Sequence, residues 1–223
     1  MLELPPLPDD LPWSVSAYLL LDGVSVPNLP QRLSRWDNPV HGLYHGTRWQ
    51  ELADISPRLV TLNGADDPVL AHFQENAALE WGFLLFSDAD VSTLLKHWRH
   101  LLTVKHPSAG EVMPRIADPA VMHHLFDLAR QANSARWFGP VQYLCLPDGL
   151  QAAWLQHQRP DLPAPDSSDT YRLTEEELTA LEEAQFHHVV LDLNDHLQRY
   201  FPGFMASCPD RERLQFAEKT ARE

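Results

Sequence analysis

The chain of 223 residues is 44% hydrophobic and 22% charged, a composition typical of a globular protein with one main domain. Acidic residues number 31 against 17 basic ones, and lysine and arginine form no cluster, which argues against binding to nucleic acid or to an anionic membrane. Two cysteines are too few for a disulfide framework, and no apolar run approaches the roughly 20 residues of a membrane-spanning helix.

Residues 1–14 are rich in proline and acidic side chains and predict a flexible N-terminal lead. They lack the basic start and the apolar core of a signal peptide, so we expect the protein in the cytoplasm. Three short strands are expected over residues 15–22, 41–46 and 58–62, with a short helix over 28–36 between the first two.

The middle of the chain alternates between predicted helices and strands. Residues 68–78 predict a helix, because Asp67 can cap it and a proline suits its first turn. Residues 80–86 are apolar on both faces and predict a central strand between two helical layers. A helix with one apolar stripe is expected over 89–102, followed by a strand over 111–117.

Asp118 followed by proline is a strong helix-start signal, because aspartate accepts from free backbone amides and proline has no amide to leave unbonded. This helix is expected to run to about residue 131. Residues 141–146 and 150–155 are apolar runs around Pro-Asp-Gly and predict a β-hairpin. Residues 15–156 therefore predict an α/β domain in which helices flank a layered, mixed sheet.

A second unit is predicted towards the C-terminus. Residues 157–170 are rich in Pro, Asp and Ser and indicate a linker, and residues 171–223 indicate a small helical lobe. Thr174 and Glu177 have the spacing of a capping box, which predicts where the first helix of the lobe begins. One face of this helix carries the apolar residues Leu178, Leu181, Val189, Leu193, Leu197 and Tyr200.

The sequence contains no recognisable catalytic, cofactor or metal motif. GxSxG, GxxxxGK[ST] and GxGxxG are absent, and the 12 histidines have no zinc-ligand spacing, so we expect no cofactor and no metal. Arg115 and Asp118 could form a charged catalytic pair, but we favour a strand-end arginine bonded to a helix-capping aspartate. We therefore expect that the protein is not an enzyme.

Seven short motifs occur in a fixed order along the chain. They are LLLDG at 19–23, LYHGT at 43–47, ISPRLVTL at 55–62, EWGFLLFS at 80–87, LLKHWRHLLTV at 94–104, PRIADPAVM at 114–122 and WFGPV at 137–141. The series, which covers about residues 17–145, resembles the family of unknown function encoded beside VgrG spike genes in type VI secretion clusters. Members of that family are called effector adaptors or chaperones (Tap or TEC proteins). Residues 113–116 depart from the family's more aromatic pattern.

The resemblance implies a cytoplasmic adaptor without enzymatic activity. Such a protein binds the N-terminal region of a cognate toxic effector and helps to load that effector onto the tip of the VgrG spike. We expect a groove between the two lobes to hold the effector, lined by the apolar face of residues 178–200. The motif residues expected to serve as scaffold are Trp81, Gly82, Arg115, Asp118, Pro119, Phe138, Gly139 and Pro140.

Two other functions remain open at the level of sequence. An immunity protein that neutralises a toxin would also suit the strong acidity of the chain. A hydrolase or transferase could use Arg115, Asp118 and a nearby histidine, and would need a polar pocket with perturbed titrating groups.

Overall fold

The computed structural model of the protein describes residues 2–162, 170–205 and 207–222. The strands are β1 (Ser16–Leu21), β2 (Val40–Gly42), β3 (Arg58–Thr61), β4 (Gly82–Ser87), β5 (Val104–His106), β6 (Gly110–Val112), β7 (Tyr143–Asp148) and β8 (Ala153–Gln158). The helices are α1 (Leu29–Leu33), α2 (Pro68–Glu75), α3 (Val91–Leu101), α4 (Pro119–Gln131), α5 (Glu175–Tyr200) and α6 (Asp210–Arg222), with 3-10 helices at Gln50–Ile55 and Ala77–Leu79.

Six of the strands form one sheet in the order β2-β3-β1-β4-β7-β8. The α/β class, the flanking helices and the helical C-terminal region are confirmed, but the sheet is not mixed, since every described pair in it is antiparallel. The helical connection from β3 to β4 explains the difference. It joins two strands that run in the same direction but lie on opposite sides of β1, so they are not neighbours.

Alternating side chains of the central strands fill two apolar cores, one on each face of the sheet. Leu20 and Phe83 face the core that also contains residues of α3, α4 and α5. Leu19, Leu84 and Phe86 face the opposite core, which is closed by α1 and α2. The period of two along each strand therefore produces a helix–sheet–helix arrangement, and β4 is buried along its whole length as its sequence predicts.

The predicted strand over 111–117 is wrong in most of its length. Only β6 is extended there, and it pairs with β5 in a separate two-stranded ribbon. Pro114 has no amide to donate to a strand partner, and the backbone turns after it, where the amide of Ile116 donates to the Pro114 carbonyl at 2.9 Å.

The predicted hairpin is confirmed, but its turn lies further along the chain than expected. Strand β7 continues through Pro147 to Asp148, whose carboxylate accepts from the amides of Leu150 at 2.9 Å and Gln151 at 2.8 Å. An aspartate side chain bonded in this way closes the turn itself. Similarly, the strand expected over 41–46 shifts to β2 and ends at Gly42.

The predicted helix starts are confirmed by their caps. The carboxylates of Asp67 and Asp118 accept from backbone amides in the first turns of α2 and α4. Thr174 and Glu177 form the reciprocal capping box at the start of α5.

The ends of the chain contact the α/β body. In the lead predicted to be flexible, Leu11 is buried, and the ring of Trp13 lies 5.1 Å from that of Phe86 in an edge-to-face arrangement. Of the predicted linker 157–170, residues 157 and 158 belong to β8 and residues 163–169 lie outside the described residues. Within the described ranges, no helix combines the length and apolarity needed to cross a lipid bilayer.

Candidate functional site

A cleft of about 310 Å³ lies between α5 and the α/β body. The body contributes Leu79 and Glu80, which precede β4, and Arg115 and Asp118, which lie at the start of α4. Helix α5 contributes His188, Leu191, Asp192, Asn194 and Asp195. The cleft therefore combines charged side chains with a few apolar ones, and it contains both Arg115 and Asp118, the charged pair that the sequence offers as a catalytic candidate.

Arg115 is held between two buried carboxylates. Its guanidinium donates to the Asp22 carboxylate, and its Nη1 lies 3.2 Å from Asp118 Oδ2. Burial disfavours its charged form, but the charges of Asp22 and Asp118 outweigh that effect and raise the pKa of Arg115. The arginine thus joins the turn after β1 to the start of α4, which brings together the LLLDG and PRIADP motifs.

His188 connects the same carboxylate to α5. Its Nε2 lies 2.9 Å from Asp118 Oδ2. Burial alone would raise the pKa of Asp118, but the hydrogen bond and charge of His188, together with Arg115, keep it below its ordinary value. Asp118 therefore caps α4, binds Arg115 and contacts α5 at once, which is the arrangement that a scaffold role requires.

A second contact fixes α5 beside the first. Nε2 of His187 lies 2.7 Å from Glu80 Oε1, and the same oxygen accepts from the amide of Gly149 at 2.7 Å. Burial would lower the pKa of His187, but its bond to Glu80 and the nearby charges of Asp148 and Asp118 raise it above its ordinary value. The adjacent histidines of α5 thus contact two different parts of the body.

The first turn of α5 is joined to the WFGPV motif through Glu177. Its buried carboxylate accepts from Trp137 Nε1 at 2.6 Å, from the Tyr171 hydroxyl, and from the Thr174 amide at 2.9 Å. The capping glutamate therefore also ties the helix to the body.

Two of the motifs contain a glycine at a position where a side chain would collide with a neighbouring group. A Cβ on Gly82 would lie 2.0 Å from the Leu20 carbonyl oxygen of the neighbouring strand, at a φ of +152°. A Cβ on Gly139 would lie 2.3 Å from the buried ring of His97, at a φ of +53°. Both positions allow a close approach that no other residue permits, and both are structural.

The other motif residues expected to be scaffold are also buried or bonded to the body. Trp81 and Phe138 belong to the buried core, and the carbonyl of Pro140 accepts from the Ser87 hydroxyl at 2.7 Å. Pro119 is buried in the first turn of α4.

The six residues predicted to bind a partner do not form one surface. Leu178 and Leu181 pack against the main core, so their apolar area is largely used within the protein. Val189 and Tyr200 are 45% and 60% exposed, and Leu193 and Leu197 are half-buried between them along α5. The face divides into a first part that holds the helix to the body and a second part that is open.

Exposed aromatic side chains extend this open part beyond the end of α5. We call the residues Tyr200, Phe201, Phe204 and Phe216 the aromatic end; each is exposed. The rings of Phe204 and Phe216 are 5.2 Å apart, which links the segment after α5 to α6. Phe201, Phe204 and Phe216 are absent from the sequence-based set, although the run Tyr-Phe-Pro-Gly-Phe at 200–204 is a signal that could have identified the first two.

The family model for a domain of unknown function, DUF4123, matches residues 17–135, which is more than half of the chain. The protein belongs to the DUF4123 family. No curated protein and no solved structure matches it. The DUF4123 match includes Glu80, Arg115 and Asp118 on the body side of the cleft, as well as Asp22, which binds Arg115, and it ends before α5. The helix that forms the other side thus lies outside the matched residues.

Proposed function

We propose that this DUF4123 protein is a cytoplasmic adaptor that binds the N-terminal region of a type VI secretion effector and loads it onto the VgrG spike. The observation that carries the proposal is the family match over 17–135, because the same residues contain most of the ordered motifs that resemble effector adaptors. The binding surface that we assign consists of the open part of α5 and the aromatic end.

Exposed aromatic residues support a protein-binding role for this surface. Large aromatic side chains supply much of the binding energy in protein interfaces, and a soluble monomer seldom exposes several of them together. Tyr200, Phe201 and Phe204 lie within five residues of each other, and the His196 ring lies 4.7 Å from the Tyr200 ring in a tilted arrangement. A partner helix that buried these rings would remove their apolar area from water.

The proposal is tested by co-purification with the effector encoded beside the gene. The untagged adaptor is captured on a tagged N-terminal segment of the effector, and affinity is measured by calorimetry. We expect the double variant Tyr200→Ala, Phe204→Ala to weaken binding about 30-fold or more, the loss typical of an interface centre. Leu193→Asp and Leu197→Asp should weaken it similarly.

A matched control uses exposed apolar residues elsewhere on the body. Leu52 and Ile55 lie on the 3-10 helix Gln50–Ile55 and are exposed to a similar degree as Phe204. The double variant Leu52→Ala, Ile55→Ala should bind like the wild type.

Two outcomes would contradict the proposal. If both double variants bind the effector with wild-type affinity, the assigned surface is wrong. If the wild-type protein instead suppresses the toxicity of the effector in its target cell, an immunity function replaces the adaptor function.

A further inference from the structure

Three potential metal ligands from three separate elements meet behind the cleft. Glu80 precedes β4, Asp148 ends β7, and His187 lies in the middle of α5. One ligand atom from each of them lies within 4.8 Å of the others. Glu80 and Asp148 are only 5% and 6% exposed, so both carboxylates are largely removed from solvent.

Two carboxylates at this depth require a compensating positive charge. Buried carboxylates that lie close together repel each other, so both stay ionised only when a cation lies beside them; otherwise one of them takes up a proton. Among the described residues, no lysine or arginine forms an ion pair with Glu80 or Asp148, and Arg115 is engaged by Asp22 and Asp118. Within the described parts of the chain, the one basic side chain that contacts this carboxylate pair is the imidazole of His187, which does so through Glu80.

One oxygen of Glu80 lacks the partner that burial demands. Glu80 Oε1 accepts from Gly149 and contacts His187, but Oε2 is fully buried and forms no hydrogen bond within the described part of the chain. An unbonded carboxylate oxygen in the interior is costly and uncommon. It is therefore available as a ligand atom beside the other two residues.

Hydrogen bonds from neighbouring groups hold the Asp148 carboxylate in one orientation, as they do for metal ligands in other proteins. Its Oδ1 accepts from the amides of Leu150 and Gln151, and its Oδ2 accepts from Gln151 Nε2 at 2.8 Å. Both lone pairs of Oδ1 are used in these bonds, but Oδ2 keeps one, so the carboxylate is fixed in place and can still offer one oxygen as a ligand. Outer hydrogen bonds of this kind position ligands at metal sites.

We propose that Glu80, Asp148 and His187 bind a divalent transition-metal ion, and that zinc is the ion this ligand set favours. Imidazole nitrogen combined with carboxylate oxygens is a zinc ligand set, whereas magnesium and calcium prefer oxygen ligands alone. Three protein ligands leave a fourth position for water or for a partner's side chain. The proposal is independent of the proposed adaptor function.

A second cleft reaches two of the three proposed ligands. It has a volume of about 240 Å³ and is lined by Asp148 and His187 together with His123 and His124 of α4. An ion that entered here would replace the contact between His187 and Glu80 and would tie α5 to the ends of two strands. Metal binding should therefore stabilise the attachment of α5.

The test uses the full-length chain with its purification tag removed, since a histidine tag would itself bind zinc. The protein is stripped with EDTA, dialysed and titrated with Zn²⁺ by calorimetry, and the metal content is measured by mass spectrometry. We expect one zinc ion per chain and a rise in Tm of about 5–10 °C at a free zinc concentration about 100-fold above Kd.

Three single variants remove one ligand each, namely Glu80→Gln, Asp148→Asn and His187→Asn. Each should weaken zinc binding by at least about 100-fold, more than the loss of an outer-shell residue. His45→Asn is the matched control, because His45 is an exposed histidine outside the cluster, and it should bind zinc like the wild type.

Co²⁺ provides a readout that does not depend on the variants folding. In a four-coordinate site with nitrogen and oxygen ligands, Co²⁺ gives visible ligand-field bands. We expect these bands in the wild-type protein, and we expect added Zn²⁺ to abolish them. Absence of these bands from the wild-type protein overturns the proposal. So does a zinc stoichiometry that stays the same in His187→Asn, provided that circular dichroism shows this variant to be folded.

Discussion

The carboxylate of Glu177 bears three hydrogen bonds at the point where α5 joins the body. It is buried and accepts from Trp137, Tyr171 and Thr174. Replacement by alanine leaves the indole N–H and the phenol without their partner in the interior. We expect Glu177→Ala to lower the free energy of unfolding by about 3 kcal/mol, measured by urea denaturation.

Glu175 offers a matched control in the same helical turn. It is exposed, and like Glu177 it lies near the positive end of the helix dipole. Glu175→Ala should change the free energy of unfolding by no more than about 0.5 kcal/mol. Equal losses in the two variants would show that the helix dipole, and not the buried hydrogen bonds, stabilises this turn.

His97 should make the protein sensitive to mild acid. It is buried under Gly139 and bonds through Nε2 to the Trp137 carbonyl at 3.0 Å, and burial lowers the pKa of His97 to about 4. In the unfolded chain it takes up a proton near pH 6.5. The folded state therefore binds fewer protons between about pH 6.5 and 4, and its stability falls as the pH falls through that window.

The contribution of His97 is measured by comparing pH slopes. Between pH 6 and 5 the wild-type free energy of unfolding should fall more steeply than that of His97→Gln, by up to about 1.4 kcal/mol per pH unit. Glutamine retains an N–H donor for the Trp137 carbonyl but does not titrate. Parallel slopes for the two proteins would mean that His97 is protonated in the folded state as readily as in the unfolded state.

At the scale of single residues, the sequence predicts local bonds but not distant ones. The capping pair Thr174 and Glu177 could be predicted because its members lie three residues apart. The bond from Trp137 to Glu177 spans 40 residues and depends on how α5 docks, which no local pattern encodes. For the same reason, Glu80, Asp148 and His187 could not be recognised as a cluster from their spacing.

At the scale of elements, two aspartate caps differ only in their surroundings. Asp90 caps α3 from an exposed position, where it accepts from the Thr93 amide at 2.9 Å. Asp118 caps α4 from a buried position, where it also holds Arg115 and His188. We expect Asp90→Ala to lower the free energy of unfolding only by what the loss of an exposed cap costs.

Asp118→Ala should cost about 3 kcal/mol or more, because it leaves the Arg115 guanidinium and the His188 imidazole without the buried carboxylate that they share. The motif alone indicates a lost cap of about 1 kcal/mol, so the ion pairs account for the difference. Chemical denaturation of both variants measures the comparison. A cost near 1 kcal/mol for Asp118→Ala would indicate that the network adds no net stability.

Turns and strand order show where element-level prediction ends. The hairpin was recognisable from two apolar runs around a turn sequence, yet β7 extends past Pro147 because the Asp148 side chain closes a later turn. The order of strands in a sheet depends on which strands pair with each other, and no local sequence pattern encodes that pairing. The antiparallel sheet therefore appeared only in the structure.

At the scale of the whole molecule, α5 was predicted as a helix but its docking face was not. The residues of α5 that are buried include Glu177, Ala180, Ala184 and Asn194, which are small or polar. A search for apolar periodicity finds the leucines instead, and several of those lie on the open side. Small residues permit close helix packing and buried polar groups make specific bonds, so the apolar residues Leu178 and Leu181 form only part of this interface.

The packing of α5 leads to a prediction about how the protein unfolds. Tyr171, Leu173 and Ala184 belong to the same core as β4 and α4, so the C-terminal helix completes that core. A fragment of residues 1–170 exposes this area, and each large apolar side chain left unburied costs about 1.5–3 kcal/mol. Against a total stability of about 5–15 kcal/mol, we expect the fragment to lose cooperative unfolding and its near-ultraviolet circular dichroism.

A fragment of residues 1–203 provides the comparison, because it keeps α5 and loses α6. Helix α6 buries Leu214 and Ala217 but contributes no residue to either main core. This longer fragment should unfold in one cooperative transition, with a Tm below that of the full chain. If the 1–170 fragment unfolds cooperatively with a native-like spectrum, the α/β domain is independent of α5, and the helical region would then be a separate lobe free to move when a partner binds.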